Sequence, residues 1–220
     1  MENKQKSTFS RKVLFAFAFF FMTGTVTIAE PADNMAMASQ QTAYFAGGCF
    51  WCTETDFEKI DGVSEVISGF MGGKTANPAY ADVASGRTRH RETVKVIFDP
   101  TRVSYQNLLS AFWRMHDPWD GMGSFVDRGR QYSSAIHYVD TEQKRLAEGA
   151  VAALNASAKI DRPIATAIEP ASAFYAAEAY HQDYYLKSPL KYKYYRYRSG
   201  RDQFIDEVWA GDITVYQTAE

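Results

Sequence analysis

Cysteine is scarce in this chain: only two of its 220 residues are cysteines. Two cysteines are too few for a disulfide-rich scaffold. They are also too few to complete a zinc site unless some of the four histidines contribute. The chain also has no excess of positive charge, since it contains 24 Lys and Arg and 26 Asp and Glu. Nucleic acid is therefore not an expected partner, because its recognition usually requires a basic domain or stripe. No sequence feature argues against a monomer.

Long apolar runs are absent except near the N terminus, where residues 13–22 are apolar and follow a positively charged stretch. This run is shorter than the roughly 20 residues of a membrane-spanning helix. We interpret residues 1–29 as a signal peptide cleaved after Ala29 or Ala38, with an uncleaved N-terminal anchor as the alternative. Either interpretation predicts export, to the periplasm or another extracytoplasmic location. Residues 30–42 then form a linker, residues 43–210 one folded domain and residues 211–220 a tail.

Strand and helix patterns alternate along the folded part. Strands are predicted at residues 42–46, 63–70, 92–99, 134–139 and 164–169. Helices are predicted at residues 50–60, after Ser104, at 141–156 and at 173–186, and long loops at 71–77 and 119–131. The alternation predicts an α+β, two-layer sheet-and-helix domain, while the strand order stays open.

The two cysteines, Cys49 and Cys52, lie three residues apart where a predicted strand turns into a helix. The amino terminus of a helix favours negative charge, so we expect it to lower the pKa of a thiol there. We also expect Glu54 and Asp56 to lie in the first turn of this helix. A redox pair, half of a metal site and a structural disulfide are all possible for this spacing. No two histidines are spaced as a ligand pair, and a disulfide closing so short a loop stabilises little. Redox chemistry is therefore favoured, with no metal.

The residues around the cysteines extend into a longer pattern. Residues 47–54 read Gly-Gly-Cys-Phe-Trp-Cys-Thr-Glu, and further motifs follow in order: Ser-Gly-Phe-Met-Gly-Gly at 68–73, Asn-Pro-Ala-Tyr at 77–80, His-Arg-Glu at 90–92, Asp-Arg-Gly-Arg-Gln-Tyr at 127–132 and Ala-Tyr-His-Gln at 179–182. This pattern resembles the A-type peptide-methionine sulfoxide reductases over about residues 43–200. The resemblance implies a ferredoxin-like plait, a catalytic domain at 43–210 and no cofactor.

The resemblance also implies a role for each matched residue in reducing methionine-(S)-sulfoxide, free or in proteins. Cys49 is the nucleophile that attacks the sulfoxide sulfur as a thiolate, and Glu92 is the acid that protonates the oxygen. A carboxyl can serve as an acid near neutral pH only if burial raises its pKa from about 4.3. The remaining site residues are two phenols and an aspartate around the oxygen, and two aromatic rings against the methyl group: Tyr80, Tyr132, Asp127, Phe50 and Trp51.

The sulfenic acid formed on Cys49 needs a second thiol, and Cys52 is the only other cysteine. We predict a Cys49–Cys52 disulfide that a thioredoxin-like donor reduces; direct reduction by an external thiol is the alternative. A competing function is a general thiol–disulfide oxidoreductase built on the same two cysteines. A non-catalytic module that binds peptides through the aromatic pocket is the third possibility.

Three further features are interpreted as structural or as departures from the family. Residues 191–198 interleave cations and aromatics, and we expect a solvated surface there. His181 is expected to be structural or to support the site from behind. Arg91 stands where relatives usually have a small residue, and Ser133 where an arginine is common. With Arg87 and Arg89 nearby, Arg91 predicts a basic rim that favours anionic peptides.

Overall fold

A computed structural model describes residues 40–157 and 162–210 of the protein. The predicted signal peptide or anchor at 1–29, most of the linker and the tail at 211–220 lie outside the described residues. The last two linker residues, 41 and 42, already belong to the first strand. In this part of the chain no helix has the length and apolar character to cross a membrane.

One mixed sheet forms the centre of the domain. Its strands are β1 (Gln41–Ala46), β2 (Val63–Met71), β3 (Arg91–Phe98), β6 (Ala135–Tyr138), β7 (Ala167–Pro170) and β8 (Tyr175–Ala176). They lie in the order β7-β6-β1-β3-β2-β8, and only the β6–β7 pair is parallel. The four central strands, β6-β1-β3-β2, have the order of a split β-α-β plait. The predicted fold class is confirmed, and the structure adds the strand order that alternation alone left open.

Strand register brings two of the predicted site segments to one edge of the sheet. Phe45, near the end of β1, pairs with Val94 of β3, and Phe70 of β2 pairs with Glu92 at the beginning of β3. Because β1 and β3 are antiparallel, the carboxyl end of one lies beside the amino end of the other. The turn that carries Cys49 therefore leaves β1 next to Glu92.

The helices are α1 (Phe50–Phe57), α2 (Tyr80–Ala84), α3 (Tyr105–Phe112), α4 (Thr141–Ala156), α5 (Tyr184–Lys187), α6 (Pro189–Ser199) and α7 (Arg201–Trp209). Phe45 joins α1 and α3 to the sheet, since its ring centroid lies 4.8 Å from that of Phe57 and 4.9 Å from that of Phe112. All three side chains are fully buried, so this aromatic cluster anchors the helix that begins beside Cys49.

Four sequence-based elements differ from the structure. The helix predicted at 50–60 ends at Phe57, and the strand predicted at 164–169 is Ala167–Pro170. Two other stretches differ in type. The helix predicted at 173–186 is wrong: Tyr175 and Ala176 form β8 on the edge of β2, and only α5 is helical in that stretch. The loop predicted at 119–131 contains a two-stranded ribbon, β4 (Gly123–Ser124) and β5 (Asp127–Arg128), and then the 3-10 helix η1 (Arg130–Tyr132). A Cβ atom at Gly123 would lie 2.2 Å from the Asp127 carbonyl oxygen, so the ribbon requires glycine there.

Candidate active site

The turn between β1 and α1 positions Cys49. Gly48 has a φ of +89°, and a Cβ atom on it would lie 2.4 Å from Cβ of Ser124, so only glycine permits this close turn. Cys49 is the N-cap residue of α1, and its carbonyl oxygen accepts the Cys52 and Thr53 N–H groups. Its side chain is 6% exposed, which leaves the thiol inside a pocket rather than on the surface.

Glu92 lies beside this helix start and is almost completely buried. The Phe50 backbone N–H, the first of α1, donates a hydrogen bond to Glu92 Oε2 at 2.9 Å. Burial raises the pKa of Glu92 to about 8, to which the Asp127 carboxyl adds, while the Phe50 N–H opposes the increase. A carboxyl with this pKa holds its proton at neutral pH. The structure therefore places a protonated acid next to the Cys49 thiol, as the assigned role of Glu92 requires.

Two phenols and an aspartate surround the space in front of Cys49. Tyr80 begins α2, Tyr132 ends η1, and Asp127 begins β5, so three separate segments converge here. Burial and the nearby Glu92 raise the pKa of both phenols, which keeps them neutral hydrogen-bond donors. The Tyr195 hydroxyl donates a hydrogen bond to Asp127, although burial still raises the pKa of that carboxyl. Neutral donors around a small pocket can stabilise a developing negative charge on oxygen.

Aromatic rings form the remaining wall. The Phe50 ring centroid lies 5.9 Å from that of Phe70 and 6.2 Å from that of Tyr80. Trp51 stacks on Tyr184 with ring centroids 3.8 Å apart, and its Nε1–H donates to His181 Nδ1 at 3.0 Å. These contacts hold the Trp51 ring in place at the edge of the pocket. His181 thus holds the Trp51 side chain without lining the pocket itself, which agrees with the supporting position that the sequence predicts.

The pocket in front of Cys49 has a volume of about 150 Å³. This volume is about five times the 30 Å³ that one water molecule occupies in the liquid, so it suits a small group such as a methyl sulfoxide. Its lining combines every predicted catalytic and substrate-binding residue with one more tyrosine: Cys49, Phe50, Trp51, Tyr80, Glu92, Asp127, Tyr132 and Tyr195. Cys52 does not line it. The structure thus brings the predicted residues together, while their roles stay predictions.

The two thiols form one buried, interacting pair without a disulfide. The expected lowering of the Cys49 pKa is wrong for this state, because burial and the neighbouring Cys52 raise it well above the ordinary thiol value. The pKa of Cys52 is instead lowered to about 7, since the Cys49 thiol donates a hydrogen bond to it and two arginines, Arg201 and Arg196, favour its thiolate. As pH rises through about 7 the pair therefore loses one of its two protons and shares the other. Glu54 and Asp56 also differ from expectation, as neither lies in the first turn of α1.

The sequence patterns do not predict the position of several residues that support the site. Tyr195 belongs to residues 191–198, which were expected to be solvated surface, yet α6 turns Tyr192, Tyr195 and Arg196 inward. Their spacing of three and four residues was the available signal.

Arg91 is not part of a basic rim: it is buried and donates to Glu169 at 2.8 and 3.2 Å and to Ser133 Oγ at 3.0 Å. Arg87 and Arg89 are exposed.

No group of three or more His, Cys, Asp or Glu side chains in the described ranges, 40–157 and 162–210, is arranged to hold a metal ion. Acid–base and thiol chemistry by the chain's own side chains is what the pocket offers. It contains a nucleophile, a protonated acid and neutral donors within one small space.

Comparison with known proteins gives the same family as the sequence pattern. Residues 41–213 match the family model described as peptide methionine sulfoxide reductase. "Peptide methionine sulfoxide reductase MsrA" of Listeria monocytogenes serotype 4b (strain CLIP80459) is 46% identical over 177 residues, which are 80% of this chain and 100% of that protein. "Peptide methionine sulfoxide reductase MsrA/MsrB" of Vibrio cholerae serotype O1 is 44% identical over 210 residues, or 91% of this chain. The match spans only 56% of the length of that Vibrio protein.

A solved structure agrees with the sequence matches. "Methionine sulfoxide reductase A of Corynebacterium diphtheriae" superposes with a TM-score of 0.63 at 37% identity, covering 69% of this chain and 76% of that one. The family model covers most of the described domain, and the Listeria relative is matched over its whole length. The chain therefore belongs to the peptide methionine sulfoxide reductase family.

Proposed function

We propose that the protein reduces methionine-(S)-sulfoxide, free or in proteins, to methionine. The observation that carries this proposal is the buried Glu92 carboxyl beside the Cys49 thiol. Its pKa is raised to about 8 and its position is set by the Phe50 N–H. A sulfoxide oxygen is a poor leaving group until it is protonated, and a carboxyl that stays protonated at pH 7 can supply that proton. Thiol–disulfide exchange breaks no S–O bond, so it does not require an acid that protonates an oxygen.

The first half of the reaction oxidises Cys49. In the resting pair the shared proton lies on Cys49, because the pKa of Cys52 is the lower of the two. The reaction begins when this proton moves along the hydrogen bond to the Cys52 thiolate, which leaves the thiolate on Cys49. Cys49 then attacks the sulfoxide sulfur while Glu92 gives its proton to the oxygen, and Tyr80 and Tyr132 donate hydrogen bonds to it. Oxygen moves from the methionine sulfur to the Cys49 sulfur. Methionine leaves reduced by two electrons, and Cys49 becomes a sulfenic acid, oxidised by two electrons.

The second half restores the thiols. The Cys52 sulfur attacks the Cys49 sulfur, so an S–S bond forms while the S–O bond breaks, and the hydroxyl leaves with the Cys52 proton as water. An external dithiol of the thioredoxin type then reduces the disulfide and becomes oxidised itself. The chain's cysteine count supports this order, since no third cysteine exists to resolve Cys49.

We infer from the N-terminal segment that this chemistry takes place outside the cytoplasm, where the enzyme repairs oxidised proteins as a monomer. The charged start followed by the apolar run at 13–22 supports export. Growth of cells that express the full chain, followed by fractionation and N-terminal sequencing, tests this point. An intact N terminus in the cytoplasmic fraction contradicts it.

The activity is tested by giving the full chain each resolved epimer of methionine sulfoxide together with a dithiol reductant. We expect release of methionine from the S epimer only, and none from the Cys49→Ser variant. Consumption of the R epimer alone, or of neither epimer, would overturn the proposal. Binding of a sulfoxide peptide without turnover would identify a non-catalytic module instead.

A further inference from the structure

Arg201, the first residue of α7, is a fully buried cation. Its side chain is fully buried beneath the turn that carries Cys49, with Nη1 and Nη2 3.4 and 3.5 Å from the Gly47 carbonyl oxygen. The guanidinium also lies over the Phe125 ring, 4.9 Å from its centroid. Its Nε has no hydrogen-bond partner in the described part of the chain, and no carboxylate there lies within ion-pair distance of it. Burying a cation without an anion is strongly unfavourable, so this site calls for a negative charge.

Two carboxylates, Asp127 and Asp56, interact electrostatically with Arg201, but neither lies within ion-pair distance of it in the described part of the chain, and each has another hydrogen-bond partner. Asp127 accepts a hydrogen bond from Tyr195, and Asp56 accepts from Arg196 at 2.8 Å and from Lys59 at 3.0 Å. The remaining acidic group is the Cys52 thiol, which is fully buried. Among the charged groups acting on Arg201, Cys52 has the largest effect.

The groups around Cys52 favour a negative charge on balance. Arg201 and Arg196 lie on the C-terminal helices behind it, and both favour its thiolate. Asp56 of α1 opposes them, but its carboxylate is paired with Arg196. Tyr192 also acts on Cys52, and burial raises the pKa of that phenol, so it stays neutral. The Cys49 thiol donates the remaining hydrogen bond.

We propose that Arg201 is a positioning residue of the resolving step: its buried guanidinium is the counter-ion of the Cys52 thiolate. The role rests on the proposed function, since it matters only if Cys52 resolves the sulfenic acid. Thiolates, not thiols, attack sulfur, so a cation that favours loss of the Cys52 proton speeds formation of the S–S bond. The proton leaves with the hydroxyl oxygen of Cys49 as water, so no further reactant is needed.

The test titrates Cys52 without requiring turnover. In the full chain carrying Cys49→Ser, Cys52 is the single thiol, and the serine hydroxyl still donates a hydrogen bond to it. The ultraviolet absorbance of the thiolate, followed against pH, should give a midpoint near 7. Adding Arg201→Gln should raise the midpoint by about one pH unit or more, and Arg201→Lys should restore most of the change. Arg198→Gln removes an exposed cation from α6 and should leave the midpoint unchanged.

An unchanged midpoint in a folded Arg201→Gln variant would overturn the proposal. If that variant does not fold, the Cys49→Ser chain alone still decides: a midpoint at or above the ordinary thiol value of about 8.5 contradicts a buried counter-ion. With both cysteines present, a single turnover without reductant should show disulfide formation slowed about tenfold by Arg201→Gln. A loss of sulfoxide reduction would refute the proposed function and leave the titration result standing, so the two failures can be told apart.

Discussion

Replacing Glu92 with glutamine gives the most quantitative prediction, because the same buried proton controls both stability and rate. The glutamine is nearly isosteric with the protonated acid, and its carbonyl oxygen can accept the Phe50 N–H at the position of Oε2. What it lacks is a titrating proton. The pH dependence of the difference in unfolding free energy between the two proteins therefore reports on Glu92. The contributions of the other titrating groups are nearly the same in both proteins and largely cancel.

The direction and size follow from the raised pKa of Glu92. The folded protein holds the proton up to about pH 8, whereas the unfolded chain releases it near 4.5. Stability from this group is therefore complete below pH 4.5 and is lost as pH rises through about 8. The interval of about 3.5 pH units, at about 1.4 kcal/mol per unit, corresponds to at most ~5 kcal/mol. Above pH 8 we expect Glu92→Gln to be more stable than the wild type by up to that amount.

Urea unfolding of both proteins at several pH values between 5 and 9 measures this difference. We expect the free energy of unfolding of Glu92→Gln minus that of the wild type to increase steadily with pH. A change of less than about 1 kcal/mol over the range would mean that the pKa of Glu92 is nearly ordinary. In the same samples kcat/KM for the S epimer should fall about 100-fold or more, the usual contribution of a general acid. Full activity would refute the assigned role.

Three further predictions concern pH and two neighbouring contacts. The kcat/KM of the wild type should rise with pH through about 7, as the thiol pair loses a proton, and fall through about 8 as Glu92 does; a profile flat from 6 to 9 contradicts both assignments. Tyr195→Phe removes the donor to Asp127 and should lower kcat/KM about tenfold, whereas Tyr197→Phe, on the exposed side of α6, should have no effect. Arg91→Met removes the contacts to Glu169 and Ser133 and should lower the free energy of unfolding in urea by about 2 kcal/mol. An unchanged urea midpoint would contradict that estimate.

Local patterns predicted the parts of the fold that depend on local chemistry. Ser104 begins α3 by accepting the Asn107 N–H, and Asp140 begins α4 by accepting the Gln143 N–H, so both helix starts are readable from the chain. The matched motifs also identified seven of the eight residues that line the pocket. The strand order was not predictable, because pairing between distant segments leaves no local signature.

The errors arise where distant contacts override local preference. Residues 173–186 are rich in alanine, which favours a helix, but Tyr175 and Ala176 gain more by pairing with the edge of β2. Tyr195 was assigned to the surface because its neighbours are charged. The helix that carries it presents one face to the site and another to solvent, and only its docking shows which residues face inward.

The central claim is that Cys49 and Cys52 together complete one reduction. Its most direct test is a single turnover of the full chain with excess methionine-(S)-sulfoxide and no reductant, read by mass spectrometry and by the methionine released. We predict one methionine per protein, a mass lower by two hydrogens, and a peptide map that joins Cys49 to Cys52. One methionine with two free thiols and one added oxygen would contradict the disulfide, and no methionine with an unchanged mass would contradict the mechanism as a whole.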